Sequence, residues 1–195
     1  MERFGSDKPD LRFGYELVNL SDLLANSEFK VFSGAIAQGG SVRAINVKGG
    51  AKFSRKEIDA LVEYVKTYRA KGLAWLKQTS DTEFSSSYAK FLSDEENAAI
   101  RERMKVEAGD LVLIVADKNK VVFDALGALR CECARRMGIL RSDDYKFLWV
   151  TEFPLLEYDE EEGRFYAMHH PFTSPMDEDL QYLDSDPGRV RAKAY

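Results

Sequence analysis

Thiols and imidazoles are scarce in this chain: two cysteines and two histidines in 195 residues. Cys131 and Cys133 are separated by one residue in a stretch that reads as helix. Side chains so placed diverge by roughly 200° around the axis, which is poor geometry for a disulfide. No CxxC is present, and two isolated thiols with two distant histidines do not compose a zinc site. Both cysteines are expected as small core or boundary residues. Long apolar runs are missing too: none approaches the roughly 20 residues that a membrane-spanning helix needs. The start, Met1-Glu2-Arg3-Phe4-Gly5-Ser6, has no signal-peptide core. A cytoplasmic address is expected. A basic surplus is absent as well, since the formal charge is −5. Tight nucleic-acid binding by counterion release calls for a dense basic face, which the sequence does not offer.

What is present is ordinary for a folded domain, with 45% apolar and 31% charged residues. The acidity is concentrated in one part. Thr151 to Tyr195 carries 11 acidic and 4 basic residues, whereas Met1 to Val150 carries 22 acidic and 24 basic.

The middle of the chain reads as α+β. Val42 to Val47 is a short strand closed by Gly49-Gly50. Ser54 and Glu57 form an S-x-x-E capping box, and Ile58, Leu61, Val62, Val65 and Tyr68 recur at helical spacing behind it, so Ser54 to Arg69 is expected to be an amphipathic helix. Leu73 to Lys77 is a candidate strand, and the Ser/Thr-rich Thr79 to Ser87 reads as a loop. Ser93 and Glu96 form a second capping box, leading a helix with Ala99, Ile100 and Met104 inward. Leu111 to Ala116 has no alternation, as in a strand buried on both faces. A third helix carries Val122, Leu126, Leu129, Cys133 and Met137 on one side and ends at Gly138 as C-cap. Further on, Phe147 to Phe153 is strand-like, with Pro154 restricting it to an edge or bulge. Leu155–Tyr158 and Arg164–Met168 flank the acidic turn Asp159-Glu160-Glu161-Glu162-Gly163, as in a hairpin. Val190 to Tyr195 reads as a strand cut in the middle, and a chain interrupted at both ends is expected.

His169 and His170 are the principal chemical candidates. One of them could bind an anionic ligand, or both could be structural hydrogen-bonding groups beside a turn. Pro171 biases His170 toward extended backbone. If His169 is also extended, the two side chains point to opposite faces and only one serves a given pocket. Metal binding is disfavoured: Asp177, Glu178 and Asp179 read as a solvated helix start, and Asp159 to Glu162 lack EF-hand spacing. Gly34 to Gly40 and Gly49-Gly50 match neither a P-loop nor a dinucleotide fingerprint and read as turns. Arg130, Arg135, Arg136 and Arg141 give the third helix a basic side, ordinarily a solvated face, with a tRNA-backbone contact as the alternative.

Several of these segments together resemble one family. Gly5-Ser6-Asp7-Lys8-Pro9-Asp10-Leu11-Arg12-Phe13 is similar to the signature that precedes the large insertion of bacterial-type aspartyl-tRNA synthetases. Lys71 to Lys77, Ala89 to Leu92 and Asp124 to Arg130 resemble parts of that insertion, the GAD domain. Leu148 to Pro154 and Met168-His169-His170-Pro171-Phe172-Thr173-Ser174-Pro175 resemble the return to the catalytic domain. The resemblance covers the entire length in the family's order. It implies a lead-in over residues 1–27, a GAD-like insertion over 28–145 and a return segment over 146–195. The expected fold is α+β: a mixed or antiparallel sheet packed with about three main helices, plus a hairpin belonging to a class II catalytic domain. The resemblance further implies a homodimeric parent enzyme that uses ATP and Mg to activate L-aspartate and transfers it to tRNA. His169 then falls in the aspartate pocket, with His170 a supporting neighbour. The family's ATP-binding arginines fall outside these 195 residues, so the chain alone is expected to be inactive, to need no cofactor and to bind tRNA weakly or not at all. A similar domain in the B subunit of tRNA-dependent amidotransferases keeps open a second reading, a stand-alone interaction module.

Overall fold

A computed structural model describes residues 1–159 and 161–194. Glu160 of the acidic turn and Tyr195 of the expected terminal strand lie outside the described residues. The chain divides into two compact units, the first running through Lys146 and the second starting at Phe147.

The first unit is built on a five-stranded sheet. Its strands are β1 (Val18–Asn19), β2 (Ser41–Val47), β3 (Ala74–Gln78), β4 (Phe84–Ser86) and β5 (Leu111–Asp117). They lie in the order β1-β2-β5-β3-β4, with every neighbouring pair antiparallel. The central pair β2 and β5 is aligned over seven residues, from Ser41 opposite Asp117 to Val47 opposite Leu111. Leu111 to Val115 are all 0–1% exposed, so β5 is covered on both faces as its unbroken apolar run predicts.

Alternation along the strands feeds two cores. Ile45, Val47, Leu111, Leu113 and Val115 face one side, where they pack with α3 (Arg55–Lys66) and α5 (Asn119–Met137). Val42, Ala44, Leu76, Val112 and Ile114 face the other, where α1 (Ser21–Leu24), α2 (Lys30–Ala37) and α4 (Asp94–Arg103) supply Leu24, Phe32 and Ile100. Each such aliphatic side chain contributes about 1.5–3 kcal/mol on burial.

Both capping boxes form. Glu57 N–H donates to Ser54 Oγ (3.3 Å) while Ser54 N–H donates to Glu57 Oε2 (2.7 Å). The Ser93–Glu96 pair repeats this at 3.1 and 2.9 Å. Helix α3 closes at Lys66, earlier than expected, because Arg69 turns left-handed (φ 68°) and Ala70 N–H bonds back to Val65 O. Gly138 caps α5 at φ 68°, a conformation glycine adopts without steric cost.

Three sequence expectations need correction. Gly34 to Gly40 is not only turn: α2 runs to Ala37, because Phe29, Phe32, Ser33 and Ile36 form an inward stripe whose burial outweighs the cost of Gly34. The Ser/Thr-rich loop contains β4, which the free edge of β3 recruits through Leu76↔Ser86 and Gln78↔Phe84. Lastly, the strand-like Phe147 to Phe153 forms no strand among the described residues. Phe147 and Trp149 are 92% and 86% exposed; a strand-forming composition yields a strand only where a partner completes its hydrogen bonds.

Residues 1–17 join the first unit before β1. Leu17 N–H donates to Arg3 O (2.7 Å), and Arg43 pairs with Glu2 (2.7 Å).

Candidate functional site

In the second unit β6 (Leu156–Asp159) and β7 (Arg164–Ala167) form the expected antiparallel hairpin, with Leu156 opposite Ala167 and Asp159 opposite Arg164. The turn is closed by Gly163 N–H to Asp159 O (2.8 Å), with Gly163 left-handed. Asp159 Oδ1 accepts the backbone N–H groups of Glu162 and Glu161, which hold its carboxyl below the usual range. The turn acids therefore work locally rather than as a cation loop.

Met168 N–H extends the ladder by one bond, to Leu155 O (3.0 Å), before the chain leaves the hairpin at His169. The segment Val190–Lys193 then passes alongside the hairpin's entry. Leu155 N–H donates to Val190 O, Ala192 N–H to Phe153 O and Lys193 N–H to Ser174 O, at 2.7–2.8 Å. The pairing stays at isolated bridges, Pro154↔Arg191 and Pro175↔Ala192, because proline has no N–H to continue a ladder. Val190 and Ala192 point inward onto Phe153 and Leu155. Arg191 and Lys193 point outward.

This packing makes an open concavity of about 460 Å³, lined by His169, Phe172, Thr173, Ser174, Lys193 and Ala194. The His169 ring stands edge-on to Phe153 with centroids 6.0 Å apart. His170 does not line the concavity. Its Nδ1 accepts the Phe172 N–H at 3.2 Å, and its ring lies 5.1 Å from that of Phe172. An imidazole, two hydroxyls and an ammonium around one hollow form a donor set suited to a small carboxylate. The Lys193 ammonium is paired with Asp177 at 2.6 Å.

Behind the site, Arg191 organises the acidic segment. Its Nε and Nη2 donate to both oxygens of Asp179 (2.7 and 3.0 Å), its backbone N–H donates to Asp179 Oδ2 (2.9 Å), and Glu178 lies 3.1 Å away. These bonds hold the Asp179 carboxyl down at about 2. Asp179 is 5% exposed, so Asp177 to Asp179 is not simply a solvated helix start. Arg191 and Lys193 escaped the sequence reading, although the alternation Val190-Arg191-Ala192-Lys193 carried the signal. Among the described residues no cluster of three or more His, Cys, Asp or Glu side chains is placed to hold a metal ion, so no chemical step is routed through magnesium here. No helix among them is long and apolar enough to cross a membrane.

The basic side of α5 divides. Arg135 and Arg136 pair with Glu132 at 2.7 and 2.6 Å, and Arg141 pairs with Asp143 at 2.9 Å. Arg130 is the exception: it is 1% exposed, its guanidinium lies over Phe13 (4.5 Å) and Phe4 (4.9 Å), and it donates to the carbonyls of Gly14 and Tyr15. It is a structural pin and not part of a solvated face.

Comparison with known proteins agrees with this architecture. The GAD domain family matches residues 32–126. The aspartate–tRNA ligase of Ruminiclostridium cellulolyticum is 71% identical over all 195 residues, which span 33% of that protein. Those of Clostridium botulinum strains Kyoto and Loch Maree are each 60% identical over the same span, again 33% of their length. The chain thus covers about a third of the relatives it matches. Sheet, hairpin, motif order and full-length identity converge, and the chain belongs to the bacterial-type aspartyl-tRNA synthetase family, as a segment containing the GAD domain.

Proposed function

We propose that this chain is the insertion-bearing segment of a cytoplasmic, homodimeric aspartate–tRNA ligase that activates L-aspartate with ATP and Mg and transfers it to tRNA. Residues 28–145 are the inserted GAD domain. Residues 1–27 and 146–195 are catalytic-domain segments on either side of it. His169 contacts the aspartate substrate, and His170 supports it by fixing the turn at Phe172. The observation that carries the reading is identity of 58–71% over every residue of the chain with one third of named aspartate–tRNA ligases. The donor set around His169 suits a carboxylate ligand and supports the assignment.

The 195 residues by themselves neither form adenylate nor charge tRNA, because catalysis of acyl-phosphate formation needs cationic groups preorganised around the phosphates. ATP–pyrophosphate exchange with aspartate tests this. Exchange is expected from the protein extended to the full length of its relatives and not from the 195-residue chain. In the extended protein, His169→Ala is expected to raise KM for aspartate by about tenfold or more, the signature of lost substrate binding. Exchange by the short chain, or an unchanged KM, overturns the respective part.

A further inference from the structure

The first unit contains a cavity of about 650 Å³ that takes no part in the aspartate reading. It lies between α2, the turn before β3 and the C-terminal end of β5. Phe32, Leu73, Tyr88 and Ile114, all 7% exposed or less, give it apolar walls. Into this setting comes a carboxylate. Asp117 lines the cavity and is 8% exposed. Its Oδ1 accepts the Lys118 backbone N–H at 2.8 Å, and its Oδ2 has no hydrogen-bond partner among the described residues. A buried carboxylate oxygen left without a donor is costly, so an oxygen held this way is poised for a donor brought by a ligand. Two exposed lysines, Lys30 in the first turn of α2 and Lys71 before β3, line the same cavity. The first N–H groups of α2 have no acceptor within the helix.

These features select a ligand with three parts: one N–H donor for Asp117, a flat apolar body for the walls, and an anion for the lysines and the helix start. A fatty acid would leave Oδ2 unmet. Guanine presents two adjacent donors, and Oδ1 is already engaged. We propose that this cavity is a binding site for a mononucleotide unit with a single exocyclic amino group on its base, adenine or cytosine, the amino group donating to Asp117 Oδ2 and the phosphate lying at Lys30 and Lys71. Single-stranded nucleotides are read in this way, by base-edge hydrogen bonds and apolar contact with the ring. The site is independent of the aspartate pocket and of the synthetase reading.

The test is calorimetric titration of the 195-residue chain with AMP, CMP and purine riboside 5′-monophosphate, which lacks only the amino group of AMP. Saturable binding of AMP or CMP is expected. AMP should exceed its amino-free analogue by about tenfold, because a site with a waiting acceptor rejects the analogue that lacks the donor. Asp117→Asn should erase most of that preference, while Lys30→Glu/Lys71→Glu, both at the surface, should weaken AMP and analogue alike. No saturable binding of either nucleotide at millimolar concentration overturns the proposal, and so does equal affinity for AMP and the analogue. If Asp117→Asn fails to fold, the comparison of the two nucleotides on the unaltered chain still decides. An adenylate octamer separates the sources: tighter binding than AMP identifies an RNA strand, and equal or weaker binding identifies the free nucleotide.

Discussion

Gly5 lies backbone to backbone against Gly127 in the middle of α5. A Cβ on Gly127 would stand 2.5 Å from the Gly5 carbonyl oxygen, and one on Gly5 would stand 2.3 Å from the Phe123 carbonyl oxygen. The signature segment that opens the chain is thus seated on the helix of the inserted domain, by contact that only two glycines permit. In an ordinary helix Gly→Ala stabilises by about 0.5–1 kcal/mol. Here the clash is with backbone and has no flexible neighbour to relieve it, so Gly127→Ala is expected to destabilise by roughly 1–3 kcal/mol. Urea denaturation reads this directly, and an unchanged or higher midpoint would sink the argument.

Arg130 pins the same segment from beneath. Burial pushes its pKa down, yet its guanidinium keeps both the rings of Phe4 and Phe13 and the carbonyls of Gly14 and Tyr15. Arg130→Ala removes the stacking and strands two carbonyls, with an expected loss of about 2–4 kcal/mol. Arg130→Lys keeps the charge but not the planar fork, and should recover only part of it. Full recovery by lysine would show that charge alone matters.

The Asp179–Arg191 pair predicts an acid transition in the second unit. Asp179 sits at about 2 when folded, against an ordinary 3.8, because the hydrogen bonds from Arg191 favour the carboxylate. A folded pKa below the unfolded one means that the contribution is complete above about pH 4 and is lost as pH falls toward 2. NMR titration of the Asp179 carboxyl carbon should give a midpoint near 2. A midpoint at the ordinary value would show that the pair does not persist in solution.

The two cysteines should separate by reactivity. Burial pushes the Cys133 thiol up to about 12, and that of partly exposed Cys131 is also raised by burial. The thiolate is the reactive form. A disulfide reagent at neutral pH is expected to modify Cys131 slowly and Cys133 only upon unfolding, which peptide mapping after timed quenching will resolve. Modification of Cys133 at the faster rate would contradict its burial.

Local chemistry was legible in the sequence. Ser54 with Glu57 and Ser93 with Glu96 announce helix starts because a cap is complete within four residues. The unbroken Leu111 to Val115 announces a strand covered on both faces, and Gly138 a helix end. His169 and His170 were visible as the only imidazoles, and the motifs around them as a family resemblance. Helix α2 was legible in principle, through Phe29, Phe32 and Ile36, but its two glycine-rich neighbours masked the stripe.

What only the tertiary structure decided is which distant groups meet. The order β1-β2-β5-β3-β4 joins strands far apart in the chain, and side-chain alternation marks a face without naming a partner. Burial of Arg130 depends on Phe4 and Phe13 arriving from more than a hundred residues away, so its neighbours on α5 make it look like one more surface charge. The unmade strand at Phe147 to Phe153 gives the converse lesson. Composition sets what a segment can become, and hydrogen-bond partners from elsewhere in the fold decide whether it does.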